Sequence, residues 1–330
     1  MNKEFLNTPK IQDGRIPFHP IIMQFAARMI GKSYEEFMTD HRVLVDSNMR
    51  CLELFDMDAV SVISDPYRET SGFGARITFD GNASPKAERL IQAPEEIAKL
   101  RVPAVESGRR MMDRVDGVAL YRERLGRNFP VVGWIEGPLA EACDLMGVTE
   151  VLMQMMLDPA PVRELMDKCL ELGMAFADAQ IQAGANIIGV GDAICSQISP
   201  DMYETFVLPL HDKLFDHIRS RGAKVKLHIC GNITYILPLL ARVRPDILDI
   251  DWMVSLAEAR ATMGDDTLLS GNADPVALIQ DGTEEQIRAH FEESLAVCGK
   301  DRFIYSAGCE ITPGTAPSKL AFMRKLTLKP

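Results

Sequence analysis

Residues 224–233 read KVKLHICGNI. Apolar residues alternate with basic ones, then His228 and Cys230 follow two apart, and Gly231 breaks the run. Alternation with a period of two is the signature of an extended strand. The stretch before it, SPDMYETFVLPLHDKLFDHIRSRG (199–222), reads as a helix. Ser199-Pro200 supplies an N-cap with a proline in the first turn, and Gly222 supplies a stop. A short apolar run, DILDID (246–251), comes next. A strand lying between helical stretches predicts parallel pairing.

The same grammar runs along the chain. Short apolar, β-branched runs occur at PIIMQF (20–25), AVSVIS (59–64), PVVGWI (130–135), NIIGVG (186–191), KVKLHI (224–229), DILDID (246–251), TLLSG (267–271) and RFIYS (302–306). Helical patterns separate them, among them 34–55 and 274–299, the latter opening on Asp274-Pro275 and closing on Gly299. Eight such units predict a single (β/α)8 TIM barrel over residues 1–330, with 1–19 as an N-terminal extension. An open doubly wound sheet would carry a glycine-rich phosphate turn after its first strand, and AARMIGKS stands there instead. Alternation in GARITFDGN (74–82), ending on Asp80-Gly81, predicts a small β-hairpin inserted after strand two.

Composition narrows the function. The 330 residues are 47% hydrophobic and 25% charged with a net charge of -11, so a nucleic-acid surface built from clustered Lys and Arg is not expected. No apolar run approaches the ~18 residues of a membrane span. The charged start, MNKEFLNTPKIQDGRIP, has no signal-peptide pattern, so a cytoplasmic protein is expected. Seven cysteines at irregular spacing read as thiols. Core packing accounts for Cys51, Cys143 and Cys169.

In a barrel, the C-terminal ends of the strands share one mouth. Here they carry Asp65, Glu136, Asp192, His228 with Cys230, Asp249 with Asp251, Asn272 and Cys309. Any one of these could simply cap a loop. Together they place polar chemistry at nearly every tip. His228, Cys230 and Cys309 form an N,S,S set suited to Zn²⁺ with an open position, and Asp251 at the next tip is the candidate fourth ligand. The competing reading is an unrelated histidine and two buried thiols.

At these residues the chain resembles the uroporphyrinogen decarboxylase superfamily over nearly its full length. DMDAVSVISD (56–65), ISPDMYETFVLPLHDKLFDHI (198–218), LDIDW (248–252), GNADPVALI (271–279) and SAGCEITPGTAP (306–317) carry the likeness. Two departures set it apart from the decarboxylases. Their Arg-rich MRQAGRY segment corresponds to MQFAARMIGKSY (23–34), which keeps only Arg28, and their GHG segment corresponds to AGCE, with Cys309 in place of the histidine. His-x-Cys with a distant Cys is similar to the superfamily's zinc methyltransferases, such as methylcobamide:coenzyme M methyltransferases. The spacing is also similar to cobalamin-independent methionine synthase, and that likeness points to Asp251 rather than Asp249 as fourth ligand.

The resemblance implies a zinc-dependent methyltransferase. It would exchange a methyl group between a corrinoid (cobalamin) carried by a separate corrinoid-binding protein and a small thiol or other heteroatom substrate. Glu136 and Asp192 would assist catalysis, and Asp65 and Asn272 would position substrate or shape the pocket. Three alternatives stand beside it. They are tetrapyrrole decarboxylation, O-demethylation of a methoxyaromatic onto Co(I) corrinoid, and a corrinoid-binding barrel without chemistry.

Overall fold

The computed structural model describes residues 14–328. At its centre lies a curled parallel sheet of seven strands, a TIM-barrel-like half-barrel with helices between successive strands. In chain order the strands are β1 (Val60–Ser61), β2 (Ile77–Thr78), β3 (Lys86–Ala87), β4 (Val131–Glu136), β5 (Ile187–Gly191), β6 (Lys224–His228), β7 (Ile247–Ile250), β8 (Leu268–Ala273) and β9 (Phe303–Ala307). The sheet order is β1-β4-β5-β6-β7-β8-β9, so each strand in it lies beside its successor. Parallel neighbours need a crossover, and helices such as Arg109–Leu125, Pro159–Ala183 and Leu208–Ser220 supply it. β4 and β5 are buried almost end to end, as strands covered on both faces must be.

The segment expected as part of an N-terminal extension is instead built into the sheet. Ile16 and Phe18 are fully buried. The Tyr305 N–H donates to the Pro17 carbonyl at 2.8 Å, and the Asp58 N–H donates to the Phe18 carbonyl at 2.9 Å. Residues 17–19 therefore touch both edges of the curled sheet, β9 on one side and the approach to β1 on the other. The run expected as the first strand, 20–25, turns into the helix Gln24–Met29. Pro17 and Pro20 mask the strand signal, because a proline has no N–H for a ladder. Residues 1–13 of the expected extension lie outside the described residues.

β2 and β3 form a separate antiparallel pair, Ile77 opposite Ala87 and Thr78 opposite Lys86. Residues 79–85 join them, so Asp80-Gly81 lies within a longer connection and not in a two-residue turn. Two expected helices are divided. Asp40 ends Tyr34–Thr39 and N-caps His41–Phe55 through the Arg42 N–H. A π-helical turn, Pro275–Gln280, precedes Glu284–Cys298, which Thr283 and Gln286 start with a reciprocal capping box.

The inner face is layered. Ile247, Leu268 and Ile304 form an apolar cluster of their own. Two residues further along the same faces come Asp249, Ser270 and Ser306, and beyond these Asp251 and Asn272. The period of two thus leads from a dry floor to a polar mouth. No helix among the described residues is long and apolar enough to cross a membrane.

Candidate metal centre and active site

β6 ends on His228, and Cys230 follows one residue beyond the next. Cys309 arrives just after β9. Nε2 of His228 lies 2.9 Å from the Cys230 sulfur and 4.0 Å from the Cys309 sulfur, and the two sulfurs are 3.5 Å apart. The three donor atoms fall within 4.8 Å of one another. Ligand atoms about 2.3 Å from one tetrahedral centre would lie roughly 3.8 Å apart, so this set is close to the spacing of a zinc site. Burial sorts the cysteines as the chemistry would. Cys51, Cys143, Cys169, Cys195 and Cys298 are buried, whereas Cys230 and Cys309 are partly open.

The pair of sulfurs shares protons unequally. A hydrogen bond from Cys230 draws the Cys309 thiol down to about 4, against the opposing effect of burial. The same bond and burial push Cys230 upward. Burial disfavours a charged His228, but the sulfur beside it and the Asp249 carboxylate outweigh that and raise it. The metal-free set therefore holds a thiolate beside a protonated imidazole, and a metal ion would take the place of the His228 proton.

Behind the set stands a support of which the sequence reading named only Asp249, as a strand-tip carboxylate. Nδ1 of His228 lies 3.2 Å from Oδ2 of Asp249, and Oδ1 of Asp249 accepts from the buried Lys226 ammonium at 2.5 Å. Asp249 is buried, paired with one cation, and bonded to the imidazole. The carboxylate fixes Nδ1 as the protonated nitrogen and leaves Nε2 for the sulfurs. Lys226 sits two residues before His228 on the same face, so strand periodicity could have found it.

Asp251, expected as fourth ligand, is not in the group. Its Oδ2 accepts the Gly231 N–H at 2.8 Å and its Oδ1 the Met253 N–H at 3.3 Å. It fastens the turn that carries Cys230. Three protein donors therefore converge, His228, Cys230 and Cys309.

Glu136, at the tip of β4, reaches the same mouth. Its Oε1 accepts from Arg68 at 2.7 Å. Its Oε2 lies beside Gly191, where a Cβ would come within 3.2 Å of it. Gly191 pairs in register with His228. Gly189 likewise lets the Trp134 ring lie across β5, where a Cβ would enter the ring. The indole then stands 6.1 Å, centroid to centroid, from the His228 ring. Two glycines thus empty one face of β5 so that β4 side chains can approach the metal-ligand set.

Glu136 belongs to a buried acidic group. Glu69 accepts the Glu136 N–H, and Glu141 accepts the Thr70 hydroxyl. Burial raises Glu136 and Glu141 well above the usual carboxyl range, and the acidic neighbours add to it; Arg68 opposes this at Glu136. Asp144 rises to about 7 for the same reasons, burial first and Glu69 next. At neutral pH the group therefore retains protons. With Oε1 of Glu136 committed to Arg68, a proton on Glu136 resides on Oε2.

The other expected residues stand apart. Asp65 is buried and held by Arg110 through two bonds of 2.9 and 2.5 Å, and the guanidinium keeps its carboxyl down at about 2 despite burial. Asp192 is fully buried: Oδ1 accepts the Ala140 N–H at 2.8 Å and Oδ2 lies 3.0 Å from His211, which in turn meets the Tyr203 hydroxyl at 2.9 Å. Asp192 supports the start of the helix Pro138–Met146 and does not face the mouth. Asn272 donates to the Val254 carbonyl at 2.9 Å and lines a pocket beside the mouth. Arg68, Glu69, Arg110 and Trp134 escaped the sequence reading because their roles arise only in three dimensions.

A curled parallel sheet with an imidazole and two thiols gathered at its C-terminal edge defines an α/β enzyme class with a metal-competent mouth. The uroporphyrinogen decarboxylase (URO-D) family model matches residues 4–328, and the chain belongs to that family. Uroporphyrinogen decarboxylase of Carboxydothermus hydrogenoformans is 27% identical over 315 residues, covering 91% of this chain and 88% of that protein. The Neisseria meningitidis serogroup C protein of the same name is 28% identical over 283 residues, covering 83% and 78%. Among solved structures, a methyltransferase from Methanosarcina mazei superposes with a TM-score of 0.87 at 22% identity, covering 95% of this chain and 93% of that one. A B12-independent methionine synthase from Shewanella sp. W3-18-1 gives 0.58 at 13% identity, covering 89% and 87%. These structural likenesses show the shared fold.

Proposed function

We propose that the chain is a zinc-dependent methyltransferase that moves a methyl group between a corrinoid, carried by a separate corrinoid-binding protein, and a small thiol. The observation that carries this is the convergence of His228, Cys230 and Cys309 within 4.8 Å from strand tips 79 residues apart. The same reading takes the sheet as a closed (β/α)8 barrel, with residues 17–19 as the stave between β9 and β1. The name and fold of the Methanosarcina neighbour support it. Cys309 where the decarboxylases carry histidine supports it too.

The donor set fits zinc in chemistry and spacing, and His228, Cys230 and Cys309 would hold it. When bound, zinc supplies a thiolate at neutral pH from a thiol that is otherwise protonated. The chain's own groups do the rest. Asp249 and Lys226 hold His228 in one tautomer. Asp251 fixes the turn of Cys230 through the Gly231 N–H. Trp134 walls the site beside His228 and excludes water from one side. Oε2 of Glu136 holds a proton next to Gly191, in position to give it to, or take it from, the substrate heteroatom.

The test has two parts. The purified protein should hold one zinc per chain, and thiols should discharge methylcobalamin in its presence. Loss of carboxylates from uroporphyrinogen, with no thiol-dependent demethylation, would overturn the reading in favour of a decarboxylase.

A further inference from the structure

Building on the zinc reading, we propose that Cys230 and Cys309 form a redox switch: hydrogen peroxide or glutathione disulfide joins them in a disulfide, and that bond and zinc exclude one another. The two sulfurs stand 3.5 Å apart and a disulfide needs about 2.05 Å, so each has roughly 0.7 Å to travel. Both cysteines lie in loops, Cys230 two residues past the end of β6 and Cys309 two past the end of β9. The chain's own contacts keep these loops together. Asp251 accepts the Gly231 N–H at 2.8 Å, and the Gly308 N–H donates to the Ala273 carbonyl at 2.9 Å. The backbone of Asp251 and Trp252 packs on Gly308 so closely that a Cβ there would lie 2.5 Å from the Trp252 nitrogen. One segment, 251–252, thus clamps both cysteine loops.

Access singles out the same pair. Cys51, Cys143, Cys169, Cys195 and Cys298 are buried, whereas Cys230 and Cys309 are partly open at the mouth, where an oxidant arrives. The peroxide reaction balances in two steps. One sulfur, as thiolate, attacks the O–O bond, takes one oxygen to become a sulfenic acid and releases hydroxide. The other sulfur, as thiol, attacks the sulfenic sulfur, forms the S–S bond and releases water. Two electrons pass from the sulfur pair to the peroxide. With glutathione disulfide the same two sulfurs displace two glutathione thiols in turn. A disulfide sulfur carries no charge and no longer holds zinc, which leaves His228 alone of the three ligands. Conversely, ligand atoms around one tetrahedral ion stand roughly 3.8 Å apart, too far to bond to each other. The pair is thus protected from oxidation while it holds zinc, and loses zinc once oxidised; linkage makes the two effects equal in size.

Glutathione buffers of graded potential test the proposal on the whole chain, with free zinc fixed by a chelator. Samples are quenched by alkylation, and peptide mass spectrometry counts the Cys230–Cys309 link. The link should form in zinc-free buffer, while the five buried cysteines stay reduced. Bound zinc should fall as the link rises, one ion per link. Because zinc stabilises the reduced pair alone, the midpoint potential should rise by about 30 mV for each tenfold increase in free zinc above the dissociation constant. A chain that binds zinc but never forms the link, that forms it with zinc retained, or whose midpoint ignores zinc would overturn this inference alone. A reduced chain that binds no zinc would overturn the zinc reading, and the exclusion with it.

Discussion

The sulfurs of Cys230 and Cys309 stand 3.5 Å apart although 79 positions separate them in the chain. Nothing local brings them together. The parallel sheet does so, by curling the end of β6 toward the end of β9. Cys309→Ser removes one of two sulfur donors and leaves one imidazole and one thiol. Zinc affinity should then fall by at least about a hundredfold, because Zn²⁺ favours thiolate over hydroxyl oxygen. Competition against a chromophoric chelator measures it, and unchanged affinity would remove Cys309 from the site.

The Lys226–Asp249–His228 chain leads to a second expectation. Asp249→Asn keeps the shape but takes away the carboxylate that fixes Nδ1 as the protonated nitrogen. It also leaves Lys226 buried without a counter-charge. Outer partners of this kind are worth about 10–100-fold in metal affinity. Nitrogen-detected NMR of the metal-free protein should show the His228 imidazolium persisting to higher pH in the wild type than in the variant, because the Asp249 carboxylate helps to raise it. The same titration in both would mean that Asp249 does not support the ring.

The parts of this arrangement differed in how far they could be read beforehand. His228, Cys230 and Cys309 were legible because strand tips in parallel β/α units share an edge, and soft ligands are rare there by chance. The support under His228 lay in the same alternation, KVKLH, yet a lone lysine on a strand reads as solvated until its burial is known. The stave at 17–19 was hidden by two prolines. Asp65 and Asp192 do sit at strand ends, but Arg110 and the Ala140 N–H claim their oxygens. A sequence shows that a carboxylate is present at a tip; its direction depends on partners far away in the chain. The acidic group around Arg68 was invisible for that reason, since Glu69, Glu136, Glu141 and Asp144 come from three separate elements.

That acidic group predicts a pH effect on stability. The Asp144 carboxyl is raised to about 7 by burial and acidic neighbours. Its unfolded value is about 3.9. Between those values the folded chain binds more protons than the unfolded one, so stability falls as pH rises through this window and levels off above it. Asp144→Asn removes the charge. It should stabilise the protein at pH 8 by on the order of 2 kcal/mol, and should have no such effect near pH 3, where Asp144 is protonated in both states. Thermal melts of wild type and variant across pH 3–8 would show the two curves diverging upward from about pH 4. Parallel curves would mean that Asp144 titrates normally.

Gly189 offers a test of how the mouth is shaped. Its backbone is ordinary strand, so alanine is not excluded by conformation. What excludes it is the Trp134 ring, which occupies the place of the absent Cβ. Gly189→Ala must therefore push the indole off β5 and away from His228, at a cost of about 1–3 kcal/mol, as for other overpacked sites. The chain has two tryptophans, and Trp134 is 3% exposed against 47% for Trp252. In a Trp252→Phe background the emission comes from Trp134 alone, blue-shifted in the parent. The Gly189→Ala change should shift it to the red as the ring gains contact with water. It should also loosen zinc, because the wall beside His228 opens. If the emission stays blue while stability drops, the strand has moved to accommodate the methyl group and Trp134 does not depend on that glycine.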